Sequence, residues 1–315
     1  MADTPTLSTS GASTATRRHA PEPDPERGTR AGRTVRDVRL SMPVLAWWVV
    51  CLCLAVVFLY PLWVMLSMAL KDPAEQGSIP PSFIPHSPTL ENFTHLASVQ
   101  GLNVFGNLLN SVVVTLAATI GTVVIATLAG YALARARFPG SNVVFFVILA
   151  TFMIPFQAII TPLFMVLKTL HLNNSLLGLT VVYVTFNLPF GLFIMRNSFA
   201  AVPSTLEEAA LVDGCGIISA LRHIMLPIVM PGVITTALLT FFASWNEFFA
   251  ALILITDQSK FTLPVTLTLV TSGQFGTVNW GALEAGVALT ILPCIVIYLL
   301  LQRYYVSGML NGALK

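Results

Sequence analysis

Few residues in this chain have both the type and the setting to do chemistry, and most of those are acids. Pro203-Ser-Thr-Leu-Glu-Glu-Ala-Ala-Leu-Val-Asp-Gly places Glu207, Glu208 and Asp213 in one short polar segment between two apolar runs, where they can engage a partner's basic side chains. Glu247 stands within the apolar stretch Ser244-Trp-Asn-Glu-Phe. A carboxylate inside a membrane is costly and faces a bundle interior or a water-filled cavity. Glu247 and Asn246 are therefore candidates to hydrogen-bond a polar solute; the competing reading is an inter-helix hydrogen bond in a small-residue interface. Gln157 and Asn187, polar positions in other apolar runs, carry the same two readings. The five His are scattered, and none has metal-ligand spacing with a Cys or carboxylate. Cys51 and Cys53 lie inside an apolar run and read as small apolar fillers. The sequence has no Gly-x4-Gly-Lys-Ser/Thr phosphate loop and no nucleophile elbow. Enzymatic chemistry on this chain, ATP hydrolysis included, is not expected.

The elements that must position these residues follow from composition. Of 315 residues, 55% are hydrophobic and 10% charged, against roughly 25% charged in a soluble domain. Mean hydropathy is +0.80. A soluble globular enzyme is excluded, and a net charge of +2 is too small to argue for nucleic acid. Residues 1–42 hold seven Arg and no aromatic residue, so they read as a disordered cytoplasmic tail. Six later runs reach the roughly 20 apolar residues that a spanning helix needs. These are Pro43 to Leu70, a stretch within Asn107 to Ala134, Val143 to Leu167, Leu176 to Met195, Ile228 to Ile255 and Leu283 to Leu301. On a continuous helix, Glu247 would have Ala243, Ser244, Ala250 and Ala251 beside it. The opposing face, Phe241, Phe242, Trp245, Phe248 and Phe249, would meet a solute, lipid or neighbouring helices. Thirteen of the sixteen Lys and Arg fall on one side of the six spans, which places both termini in the cytoplasm. The fold class expected is an all-α membrane protein with six transmembrane helices.

The longest loop on that side runs over 196–227. Ser204 followed by Glu207 has capping-box spacing, Glu207 and Glu208 suit the positive end of a helix dipole, and Gly214 suits the left-handed position after a helix end. A helix of about three turns lying outside the membrane is expected. Ala209 and Ala210 give it a small-residue patch that another backbone can approach.

Glu208-Ala209-Ala210, three residues, Gly214, nine residues and then Ile224-x-Leu226-Pro227 resembles the EAA signature of ABC-importer permeases in residue type and spacing. Further segments are similar to the six-span subunit of the maltose-type carbohydrate importers, over about 43–315. They include Leu59-Tyr-Pro-Leu-Trp63, Gly130-Tyr-Ala-Leu-Ala-Arg135, Met153-Ile-Pro-Phe-Gln157, Ser244-Trp-Asn-Glu-Phe248 and Asn279-Trp-Gly281. The Arg-rich tail lies outside the resemblance, and Glu284 departs from the apolar residue expected there.

The resemblance implies a type I ABC importer permease with a core of about 107–302. It implies a second permease subunit, two cytoplasmic ATPases and an extracytoplasmic solute-binding protein as partners, in a lipid membrane and without nucleic acid. No cofactor is implied on this chain; ATP and Mg belong to the partner ATPase. The segment carrying Glu207, Glu208, Ala209, Ala210, Asp213, Gly214, Ile224, Leu226 and Pro227 becomes the coupling loop. Asn246, Glu247, Gln157 and Asn187 become candidates for the substrate path. Gly273, Gln274, Phe275 and Gly276 become a loop that probes the docked binding protein. An ion-coupled secondary transporter is the competing class; it would call for inverted repeats and more intramembrane charge than this chain has. A non-sugar solute such as a polyol or glycerol phosphate is the alternative within the ABC class.

Overall fold

A computed structural model describes residues 44–77, 82–98, 103–136, 138–272 and 278–313. The 1–42 tail and the loop positions Gly273, Gln274, Phe275 and Gly276 lie outside the described residues. Two compact units divide the chain at Leu54. In the first, the described part is the exposed leading stretch of helix α1 (Val44–Leu70). The second contains every other element and all of the candidate residues. Among the described residues no strand occurs.

After α1 come α2 (Glu91–Ser98), α3 (Val104–Arg135), α4 (Ser141–Thr151), α5 (Phe156–Thr169), α6 (Leu176–Ala200) and α7 (Ser204–Val212). Then follow α8 (Ile217–Ala220), a π turn (Leu221–Met225), α9 (Leu226–Ile228), α10 (Met230–Trp245), α11 (Phe249–Leu254), α12 (Leu263–Thr271) and α13 (Trp280–Ala313). Four helices, α1, α3, α6 and α13, are each long and apolar enough to cross a membrane.

The other two expected spans are not straight. The run Val143 to Leu167 forms α4 and α5, bent by 100°. Pro155, the extended N-cap of α5, keeps α4 from running on, because proline disfavours helical geometry in the residue before it and supplies no N–H. The run Ile228 to Ile255 is also broken. Its start lies at a 76° bend between Ile217–Ile228 and α10. Val229 is the N-cap of α10, and Pro231 in its first turn has no N–H to return to the preceding helix; a π turn, Leu221–Met225, precedes α9. The run breaks again after Trp245, where α10 ends and α11 begins only at Phe249.

The core forms where backbones approach closely. Ala118, Thr122, Ala126 and Gly130 recur every fourth residue along α3 and are all buried, the spacing that puts small residues on one helix face. A Cβ on Gly130 would lie 2.7 Å from Met195 Cβ and 2.9 Å from the Arg196 backbone nitrogen of α6. A Cβ on Gly191 of α6 would lie 3.3 Å from Ala126 of α3 and 3.1 Å from Thr236 of α10. Helices α3, α6 and α10 therefore make the frame that carries both candidate sites.

Candidate functional site

The first site lies at the α7 end of this frame. Helix α7 stops as its sequence dictates. Gly214 has φ +87°, its N–H donates to Leu211 O at 3.1 Å, and Cys215 N–H donates to Ala210 O at 3.0 Å, the two bonds of a Schellman motif. Its start corrects the capping-box expectation. The N-cap is Pro203, and no side chain bonds to the free amides there.

Glu207 does not turn back to the backbone because stronger partners hold it. Arg135 Nε lies 3.3 Å from one carboxylate oxygen, and the side chains of both residues are about 15% exposed or less. The Tyr131 hydroxyl donates to the other oxygen. The tyrosine bond is charge-assisted, a class about twice as strong as neutral hydrogen bonds, and Arg135 adds an ion pair. Arg135 also donates to Val202 O at 2.6 Å, in the turn between α6 and α7. Tyr131 packs edge-on against Phe199 with ring centroids 5.4 Å apart.

The three acids therefore separate. Glu207 is turned into its own chain, while Glu208 and Asp213 are exposed. The expected Ala pair separates too: Ala209 is exposed, and Ala210 is buried against its own bundle. Ile224 and Leu226 are half-buried and Pro227 is exposed. Val212 (87%) and Ile218 (81%) are large apolar side chains left uncovered beside Gly214. A cleft of about 530 Å³ lies along α7, with Arg135, Asn142, Arg196, Ser204, Glu207 and Glu208 on its walls. Sequence reasoning passed over Tyr131 and Arg135 as site residues. Their i, i+4 spacing at the end of a span was the available signal, since it puts both on one helix face.

The second site lies at the break between α10 and α11. Glu247 is not inside a helix, as the continuous run predicts, but in the non-helical step Asn246–Phe248. Its carboxylate accepts from Ala250 N at 2.7 Å and Ala251 N at 3.2 Å. The first amides of α11 have no intrahelical acceptor, and a carboxylate at a helix N-terminus satisfies them. The third donor is the hydroxyl of Tyr183, a buried residue of α6, at 2.8 Å.

Asn187, one turn further along α6, donates to Tyr183 O at 2.8 Å and lies 3.4 Å from Ser244 Oγ. A cleft of about 250 Å³ opens here, walled by Phe156, Tyr183, Phe186, Asn187, Ser244 and Glu247. A second cleft of about 230 Å³ shares Asn187 and Ala243 with it and continues along Phe152, Phe190, Thr236 and Thr240. The small-residue side expected around Glu247 is thus present. The opposing aromatics face the bundle: Phe241 stacks on Trp245 at 5.8 Å, and Trp245 Nε1 donates to Thr290 O of α13 at 3.0 Å.

The structure brings Glu247 and Asn187 together and adds Tyr183 and Ser244. It does not bring in the other two path candidates. Asn246 is exposed and bonds back to Phe242 O at 2.9 Å. Gln157 is exposed on α5, and its neighbour Phe156 faces the cleft instead. Among the described residues no cluster of three or more His, Cys, Asp or Glu can hold a metal ion.

Residues 122–311 match the family described as the binding-protein-dependent transport system inner membrane component. The chain belongs to this family. It is a multi-pass protein of the cell membrane, a permease subunit of an ABC importer and not itself an enzyme. The ion-coupled reading is thereby set aside. The permease is 34% identical over 263 residues to the trehalose/maltose transport system permease protein MalG of Thermococcus litoralis, covering 83% of this chain and 93% of that one. It is 33% identical over 259 residues to the diacetylchitobiose uptake system permease protein DasC of Streptomyces coelicolor, covering 81% and 91%. Its fold matches a chain in the crystal structure of a bacterial ABC transporter involved in the import of the acidic polysaccharide alginate. The TM-score is 0.71 at 22% identity, over 83% of this permease and 96% of that chain.

Proposed function

We propose that this permease pairs with a second permease subunit to form the path for a carbohydrate delivered by an extracytoplasmic binding protein. Two cytoplasmic ATPases, which bind ATP and Mg, drive it through α7. The observation that carries the coupling role is the outward face of α7: Glu208, Ala209, Asp213 and the uncovered Val212 and Ile218, set by the turn at Gly214. That face offers acid, a close approach and apolar contact to one docking partner. The Lys/Arg asymmetry supports a cytoplasmic location for it, with Arg135, Arg196 and Arg222 flanking the α7 end and Lys71, Lys168 and Lys260 in the opposite loops. The permease domain on this reading is 43–315, preceded by a cytoplasmic tail over 1–42.

The substrate path runs past the α10–α11 break. Its walls combine Phe156 and Phe186 with Asn187 and Ser244, and aromatic faces beside hydrogen-bonding groups suit sugar rings and hydroxyls. Glu247 accepts three protein donors there and so fixes Tyr183 and the start of α11 at the wall of the path. The relatives named for trehalose/maltose and diacetylchitobiose support a carbohydrate. The binding-protein loop at Gly273, Gln274, Phe275 and Gly276 belongs to the opposite, extracytoplasmic side.

Uptake of a panel of labelled sugars by cells with the intact and the deleted complex tests the substrate. No change on any carbohydrate would sink the sugar assignment. Glu208→Lys and Gly214→Pro test the coupling: membrane abundance stays normal, and co-purification of the ATPase and uptake are lost. Proline cannot adopt the positive φ of position 214. Normal ATPase co-purification in both variants counts against the coupling role.

A further inference from the structure

The pair Glu207–Glu208 consists of two chemically identical side chains with opposite surroundings. Glu208 is exposed at the surface of α7. Glu207 has each carboxylate oxygen engaged by the last two turns of α3, through Tyr131 and Arg135. The same Arg135 holds Val202 O, so one guanidinium ties both the start of α7 and the turn that precedes it. One position before Tyr131, Gly130 seats α3 directly on the backbone of α6 at Met195 and Arg196. The core around Phe199, Met195 and Val202 closes the space between. Helix α7 is therefore joined to the α3–α6 pair by a short polar bracket against a close-packed base. Close-packed interfaces shift between discrete arrangements and do not deform continuously.

We infer that Glu207 is not a docking acid but a strut: with Arg135 and Tyr131 it makes α7 and α3 move as one body when the ATPase pulls on α7. The inference rests on the coupling role proposed above. It assigns the two neighbouring acids separate tasks. Glu208 faces the partner, and Glu207 carries the displacement into the span that packs along the path-forming helices. Glu207 is a positioning residue on this account, since it acts through Tyr131 and Arg135.

The test uses the intact complex purified with its ATPase, the four native cysteines replaced by serine, and spin labels on Thr205→Cys of α7 and Val124→Cys of α3. Both positions are exposed, and neither lies on the proposed docking face. The label-to-label distance is measured before and after trapping with Mg-ATP and vanadate. In the otherwise wild-type complex the distance holds. In Glu207→Gln and Arg135→Gln it shifts by a helix displacement of about 2 Å or more, with ATPase retention within two-fold of wild type. Arg135→Lys, which keeps a cation facing Glu207, lies closer to wild type than Arg135→Gln. A purely structural role would lower abundance without changing this distance. Loss of ATPase co-purification in Glu207→Gln, as in Glu208→Lys, would make Glu207 a docking acid and overturn the strut. So would an unshifted distance in Glu207→Gln. A wild-type complex that retains no ATPase instead sinks the coupling reading. The strut is then judged on the double-mutant cycle between positions 207 and 135, where additive losses of thermal stability refute it.

Discussion

Glu247→Ala separates two roles that a mid-membrane acid can play. As a cap, Glu247 satisfies the amides of Ala250 at 2.7 Å and Ala251 at 3.2 Å and accepts the Tyr183 hydroxyl at 2.8 Å. Removing a capping side chain costs about 0.5–2 kcal/mol, and stranding a buried hydroxyl costs about 1–3 kcal/mol. The expected loss for Glu247→Ala is therefore about 1.5–5 kcal/mol of unfolding free energy, or roughly 10- to 4,000-fold in the equilibrium constant. Tyr183→Phe removes one hydrogen bond and costs about 1 kcal/mol. The double variant is less damaged than the sum, because no hydroxyl is left stranded, and the coupling between the sites is about 1–2 kcal/mol. Equilibrium unfolding of the purified protein in mixed micelles measures all four corners of this cycle. The reasoning is refuted if Glu247→Ala lies within about 0.5 kcal/mol of wild type while uptake is abolished. That result would make Glu247 a ligand for the solute and not the post that holds α11 in place.

Gly130→Ala is expected to destabilise the protein by about 1–3 kcal/mol through overpacking, since the new methyl meets Met195 Cβ at 2.7 Å and α6 backbone at 2.9 Å. Gly121→Ala meets only Val184 Cγ2 at 3.0 Å, the yielding end of a side chain, so the same micelle unfolding assay should rank it well below Gly130→Ala. Outside the membrane, the Ser87 hydroxyl and then the His86 amide hold the Glu75 carboxyl below its usual range. A depressed carboxyl stabilises its loop above the unfolded value of 4.5 and loses that contribution as pH falls through the folded value. The protection of the His86 and Ser87 amides, taken relative to their intrinsic exchange at each pH, should fall on acidification below that point in wild type, and Glu75→Gln should lack the step.

Much of the fold was legible because membrane physics acts on composition and local pattern. Run length located α1, α3, α6 and α13. Gly214 announced its own left-handed turn, which needs no tertiary partner to be favourable. Where the reading failed, a second segment intervened. The capping box at Ser204 did not form, because Arg135 and Tyr131, about seventy residues earlier in the chain, compete for Glu207. A continuous helix was expected through Glu247; the chain breaks there, and the freed amides of α11 take the carboxylate as their cap. Asn246 and Gln157 have the same polarity as Asn187, but nothing local says which of them turns inward.

The sequence by itself determined that this protein crosses a membrane, roughly where it crosses, and which loop presents a short acidic helix. Hydrophobic run length, charge asymmetry and a glycine turn are properties of the chain alone. Only the tertiary structure decided which acids remain available. Two neighbouring glutamates became an inward bracket and an outward face, and the mid-span Glu247 became a cap at a helix break. A carboxylate goes to the strongest donors within reach, and which donors come within reach is fixed by helices that meet in space, not along the chain.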